Sequence, residues 1–155
     1  MTLSLDERRI ADLKEWMPHV TLLYPFRPWQ GDPLPELAAA VATVEPTPVT
    51  LAEFRSFRHG PTSHTIWLSP EPAEALVRLQ RALVAAFPDC NDTSRYEGGY
   101  TPHLSVGQAH DPRELLQRLQ RDWRPILFPL DAVALIVRDA DGVFHVERTF
   151  PLGKS

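Results

Sequence analysis

Apolar residues along this chain recur with two periods, and the switches between them predict its elements. Ile10, Leu13 and Trp16 lie at helical spacing behind a Ser4-Leu5-Asp6-Glu7 capping box, which predicts a first helix from about Leu5 to Trp16. Pro18 ends it, and Val20-Thr21-Leu22-Leu23-Tyr24 reads as a buried strand. Pro25 to Pro35, with Pro28, Gly31 and Pro33 inside it, is a loop, and Leu34 to Val44 is a short Ala-rich helix. Val49 to Phe57 and His64 to Leu68 are strands that pair as a hairpin around Arg58-His59-Gly60-Pro61-Thr62-Ser63.

Ser69-Pro70 predicts the next helix start, because Ser suits the N-cap and Pro the first turn. Leu76, Leu79, Leu83 and Phe87 form its apolar stripe, with Arg78 and Arg81 toward water. Pro88 to Gly99 is polar and reads as a mobile loop, and Tyr100 to Gly107 as a strand. Asp111-Pro112 repeats the cap-plus-Pro start ahead of Leu115, Leu116, Leu119 and Trp123. The tail predicts a hairpin: Leu130 to Val137, a turn at Asp139-Ala140-Asp141-Gly142, then Val143 to Phe150. Helices interleaved with hairpins argue for an α+β domain with largely antiparallel sheet.

Composition narrows the class without giving a function. The chain has 155 residues, 43% of them hydrophobic, so a single domain is the expectation. No stretch approaches the ~18 apolar residues of a membrane span, and the N-terminus becomes charged too early for a signal peptide, which predicts a cytoplasmic protein with no membrane partner. The single cysteine, Cys90, excludes an intramolecular disulfide and a cysteine-rich zinc site. A net charge of −4 argues against coating long nucleic acid by charge alone, while leaving room for a pocket that takes a small anion. Sixteen prolines against seven glycines point to firmly placed element boundaries rather than disorder.

The chemistry comes from a faint repeat. Of six histidines, only two have a hydroxyl residue two positions later: Pro18-His19-Val20-Thr21-Leu22 and Pro102-His103-Leu104-Ser105-Val106. On a strand, residues i and i+2 share a face roughly 6.5–7 Å apart. His19 with Thr21, and His103 with Ser105, therefore share a face, while Val20, Leu22, Leu104 and Val106 point to the core. The same parity sends Tyr24 to the core. An imidazole–hydroxyl face suits a cleft wall better than a core. Two such strands facing one another set two imidazoles beside one bound group. One acts as neutral base and the other as protonated acid, with hydroxyls donating to non-bridging phosphate oxygens. No metal or cofactor is needed, and no Asp/Glu cluster stands at ligand spacing. Either motif alone reads as a strand-edge His with a hydroxyl neighbour; the matched pair is what favours catalysis.

The two motifs resemble the paired His-x-Thr/Ser-x signatures of the 2H phosphoesterase superfamily, which includes 2′-5′ RNA ligase-like proteins and cyclic phosphodiesterases. The wider run from Pro18 to Phe26, the helix ending at Phe87-Pro88 and the closing hairpin are similar to its bacterial branch, so the resemblance covers roughly Trp16 to Leu152. It implies a bilobal α+β domain whose two largely antiparallel sheets face a central cleft, with helices outside. It also implies a metal-independent phosphodiesterase acting on a 2′,3′-cyclic or 2′-5′ bond of a small nucleotide or RNA end. His19 and His103 are then acid and base in either order, and Thr21 and Ser105 hold phosphate. A binding module that keeps this pocket without turnover is the alternative.

Only 18 residues precede His19, fewer than the strand and helix that open such a fold. A missing N-terminal strand would expose a sheet edge, for which a second copy of the chain is one remedy. Around the motifs, Tyr24, Phe26, Trp29, Tyr96 and Tyr100 are candidates to stack on a base, with ordinary packing as the competing reading. Arg138 and Arg148 on the closing hairpin are candidates to reach phosphate, and Tyr100, Phe26 and Arg148 form the expected substrate-binding set. Arg113, Arg118, Arg121 and Arg124 read as a solvated face, and His59 and His64 lack a third metal ligand.

Overall fold

The structure is a computed structural model that describes residues 2–3 (backbone only), 18–24, 26, 31–94, 98–138, 140–142 and 144–153. The expected helix from Leu5 to Trp16 lies outside these residues. Four strands, β3 (Thr47–Arg58), β4 (His64–Glu71), β5 (Leu104–Ala109) and β6 (Ile126–Leu130), form an antiparallel sheet in the order β5-β4-β3-β6. A second antiparallel pair, β7 (Ala132–Arg138) with β8 (Phe144–Pro151), closes the chain. A third joins β1 (Thr2–Leu3) to β2 (Pro18–His19). Among the described residues, three helices complete the α+β architecture: α1 (Leu34–Ala42), α2 (Ala73–Ala86) and α3 (Pro112–Asp122).

One hydrophobic cluster draws on α1, α2, β3 to β8 and the segment after His19. The predicted stripe Leu76, Leu79, Leu83 and Phe87 is buried against Leu37 and Val41 of α1, Val49 and Leu51 of β3, Leu104 of β5, and Val133, Phe150 and Leu152 of the closing hairpin. Arg78 and Arg81 face solvent, as the helical period requires. The β3–β4 hairpin turns at Gly60, whose φ of 141° suits a residue without a side chain, and the His59 N–H donates to the Ser63 carbonyl at 2.9 Å. α3 lies across β3 and β4 with no residue fully buried. Its start is the predicted one: the Asp111 carboxylate accepts from the Arg113 N–H at 3.2 Å.

Several expectations are corrected. Ser69-Pro70 does not cap α2; both residues are buried in β4, which runs on to Glu71, and Pro72 occupies the N-cap. Pro70 is tolerated inside this sheet because it pairs with Leu51, where a register shift between Leu51 and Glu53 interrupts the ladder. Gln120 of α3 fills that gap, donating to the Ala52 carbonyl and accepting from the Phe54 N–H, both at 2.9 Å. The predicted strand Leu130 to Val137 is β7, which begins at Ala132; Asp131 separates it from β6, which the periodicity did not predict. The loop from Pro88 carries two 3₁₀ turns, Pro88–Cys90 and Asp92–Ser94, and Cys90 is buried in the core. An N-terminal strand is present after all, since two residues suffice to pair with Pro18–His19.

Candidate active site

The second motif stands at the start of a sheet strand. β5 begins at Leu104 rather than Tyr100, so His103 precedes it, while Ser105 lies within it opposite Trp67 of β4. The register shifts between Ile66 and Trp67, leaving Val106 as the extra residue of a bulge. Val106 is therefore only half-buried, and not the fully inward residue that strict alternation predicts. His103 Nδ1 lies 2.8 Å from the Thr101 carbonyl. A carbonyl only accepts, so Nδ1 carries the proton and Nε2 is the nitrogen left for chemistry.

An aromatic floor supports this imidazole. The His103 ring meets Phe57 edge-on at 5.0 Å and Trp67 at 5.9 Å, and those two rings stack at 4.6 Å with 20° between planes. Trp67 is buried, and its Nε1–H has no hydrogen-bond partner. The Arg55 guanidinium lies 5.9 Å above the Trp67 ring. None of Arg55, Phe57 and Trp67 stands out in the sequence. Phe57 and Trp67 reach His103, and Arg55 reaches Trp67, only through the antiparallel register, in which Arg55 is opposite Trp67 and Trp67 opposite Ser105.

The first motif is held differently. Only Pro18–His19 are strand, and residues 20–24 are not, which corrects the expected strand Val20 to Tyr24. The inward alternation nonetheless survives: Val20 and Leu22 are buried, His19 and Thr21 half-buried. Tyr24 instead points out, 62% exposed, because its backbone leaves the strand parity and bridges Asn91 in parallel. A strap replaces the sheet. The Tyr24 N–H donates to the Cys90 carbonyl at 3.3 Å, Asp92 N–H to the Tyr24 carbonyl at 2.9 Å, and Thr93 Oγ1 to the Leu22 carbonyl at 3.3 Å. Buried Gln80 of α2 holds that strap from behind, donating through Nε2 to Ser94 Oγ at 3.1 Å and Asn91 Oδ1 at 3.4 Å. The signal for Gln80 was available: it is the one polar residue on the apolar stripe of α2.

The two motifs meet. β1 and β2 lie alongside β5, and the Tyr100 hydroxyl, three residues before His103, donates to the Thr21 carbonyl at 2.8 Å. Burial pushes the Tyr100 phenol well above the usual tyrosine range, so it stays a donor.

The other candidates have contacts of their own. Phe26 packs edge-on against Phe87 at 5.2 Å, and Arg148 is exposed on β8 opposite Leu135. Arg138 donates to the Gly142 carbonyl at 3.1 Å and covers Phe144. Arg113 is engaged by Asp111, while Arg118, Arg121 and Arg124 face solvent. His59 sits between Ser63 Oγ at 2.8 Å and Thr65 Oγ1 at 3.1 Å. Trp29 and Tyr96 lie outside the described residues. Among the described residues no three His, Cys, Asp or Glu side chains gather as a metal-holding group, and no helix is long and apolar enough to cross a membrane.

Comparison with known proteins adds four findings. The family model of the 2′-5′ RNA ligase superfamily matches residues 4–142. "Putative phosphoesterase GK0864" of Geobacillus kaustophilus is 32% identical over 94 residues, spanning 59% of this chain and 51% of that protein, about half its length. A "Putative phosphoesterase" of Bacillus thuringiensis is 28% identical over 142 residues, 88% of this chain and 80% of that protein. The crystal structure of TT0787 of Thermus thermophilus matches with a TM-score of 0.54 at 20% identity, covering 96% of this chain and 88% of that one, a likeness of fold.

Proposed function

The chain belongs to the 2′-5′ RNA ligase superfamily, and from that premise we propose that it is a phosphodiesterase hydrolysing 2′,3′-cyclic or 2′-5′ bonds of a nucleotide or RNA end. The family and the names of its relatives support phosphoesterase chemistry. The observation that carries the finer reading is the repeated Pro-His-apolar-hydroxyl-apolar motif, joined across its two copies by the Tyr100–Thr21 hydrogen bond.

In this reading a neutral imidazole takes a proton from water as the water oxygen bonds to phosphorus. The bond to the ribose 2′ or 3′ oxygen breaks, and the second, protonated imidazole delivers a proton to that leaving oxygen. The His103 tautomer suits either duty through Nε2: acceptor when neutral, donor when protonated. Thr21 and Ser105 hydroxyls donate to the non-bridging oxygens as their charge grows. The two protons exchanged leave the pair of imidazoles inverted, and solvent resets them.

The test is hydrolysis of a nucleoside 2′,3′-cyclic phosphate by His19→Ala and His103→Ala. Each should lose about 10²–10⁴ in rate, the usual worth of a general acid or base, with an unchanged melting temperature. Enzyme treated with a chelator should keep its rate. Turnover that survives both substitutions sinks the reading, and nucleotide binding without any product from the wild type favours a binding module instead.

A further inference from the structure

We infer that Arg55 forms a second anion-binding subsite, which takes the neighbouring phosphate of the substrate and so selects a nucleotide end that carries one. The inference rests on the phosphodiesterase reading and names the substrate class of the same site. Three observations carry it. The first is register: Arg55, Trp67 and Ser105 form one cross-strand row over β3, β4 and β5. Residues directly opposite on neighbouring antiparallel strands share a face. The contacts of Arg55 and His103 with the same indole place both on that face.

The second is spacing. The guanidinium lies 5.9 Å from the Trp67 centroid, and that centroid lies 5.9 Å from the His103 ring, so the cation and the imidazole approach one indole and their separation cannot exceed the sum of these distances. A phosphate held by His103 and Ser105 is thus within a nucleoside's span of Arg55. A nucleoside spans such a gap, with one phosphate on its 2′,3′ edge and the next on its 5′ oxygen. The half-buried ring of Phe57, stacked on the buried Trp67, is a planar, uncharged surface that suits a sugar or base rather than a third charge.

The third is availability. Arg55 Nη2 pairs with Glu53 Oε2 at 3.2 Å, and the two side chains are 47% and 57% exposed. An exposed pair of this kind is weak, and it occupies a single N–H of a five-donor fork. Glu53 holds the guanidinium over the indole, and a phosphate, which matches the fork bidentately, displaces or joins it.

The experiment compares two substrates and two ligands on wild type and Arg55→Gln. The substrates are adenosine 2′,3′-cyclic phosphate with and without a 5′-phosphate; the ligands, read by calorimetry, are adenosine 3′,5′-bisphosphate and adenosine 3′-monophosphate. Wild type should favour the 5′-phosphorylated member of each pair by about ten- to a hundredfold, the worth of one charge-assisted contact. Arg55→Gln should erase that preference while leaving the singly phosphorylated compounds within about twofold. Turnover without any preference, or an equal loss on both members, overturns the subsite and leaves the hydrolytic reading standing. Tighter bisphosphate binding lost in Arg55→Gln, with no turnover by wild type, upholds the subsite and overturns the hydrolytic reading.

Discussion

The two His-x-hydroxyl motifs are nearly identical in sequence and unlike in support. The second begins a strand of a four-stranded sheet, its imidazole fixed by the Thr101 carbonyl and floored by Phe57 and Trp67. The first leaves its two-residue strand at His19 and runs on as an irregular segment, tied by single hydrogen bonds to residues 90–93 and to Tyr100. Sheet position is set by many ladder bonds acting together; strap position depends on each bond. Matched chemistry can therefore rest on mismatched mechanics. Deleting a reacting group should hurt both motifs alike, whereas deleting a support should hurt the first far more.

The hydroxyls give the largest test of the first half of that claim. Thr21→Val and Ser105→Ala should each lower kcat by on the order of 10², the cost of one donor to a developing oxyanion, with KM much less affected. Thr21→Ser should restore most of the rate. Steady-state kinetics on one cyclic nucleotide measures all three. A severe loss from one hydroxyl and none from the other would break the symmetry of the pair and leave a single phosphate-holding motif.

Gln80 tests the second half. It touches neither motif, yet it holds Asn91 and Ser94 at either end of the strap. Gln80→Leu keeps the volume near and removes both bonds, leaving partly buried polar groups without their partner. Stability should fall by about 1–3 kcal/mol in urea unfolding. The drop in kcat should be about tenfold, since small displacements of a reacting group are costly, and His19→Ala should show no further sensitivity to it. Unchanged kcat in a folded Gln80→Leu protein would mean that the strap does not hold the first motif in register.

What the sequence made legible follows the same division. Periodicity located the core stripe of α2, the Asp111 cap of α3 and both hairpins, because each depends on residues near one another in the chain. It failed where distant partners decide. Pro70 looks like a helix start until the β3 irregularity opposite it removes the need for its N–H. Tyr24 looks inward by strand parity until a bridge to Asn91 takes over its backbone. The motif residues were readable as a repeat, but Arg55, Phe57 and Trp67 were not. Their relation to His103 exists only in the register of three strands, which no local pattern encodes. Gln80 lies between these cases, visible as the polar interruption of an apolar stripe but silent about what it holds.

The smallest effect concerns the single bond that joins the motifs. Tyr100→Phe keeps the ring in place and removes the donor to the Thr21 carbonyl, so near neutral pH it should cost about 0.5–1.5 kcal/mol, the net worth of one hydrogen bond. The pH dependence separates this bond from general packing. In the unfolded chain the phenol ionises near its ordinary value of about 10, whereas burial in the folded protein holds it protonated to higher pH. A raised folded value means that the stabilisation is fully present below about pH 10 and is lost as pH climbs above it, by up to about 1.4 kcal/mol per pH unit for one proton. The phenyl ring of the variant has no proton to lose. Its deficit relative to wild type should therefore shrink between about pH 10 and 11.5 in urea titrations of both proteins. Parallel curves across that range would show that Tyr100 stabilises only through its ring, and that the two motifs are joined by packing rather than by the hydroxyl.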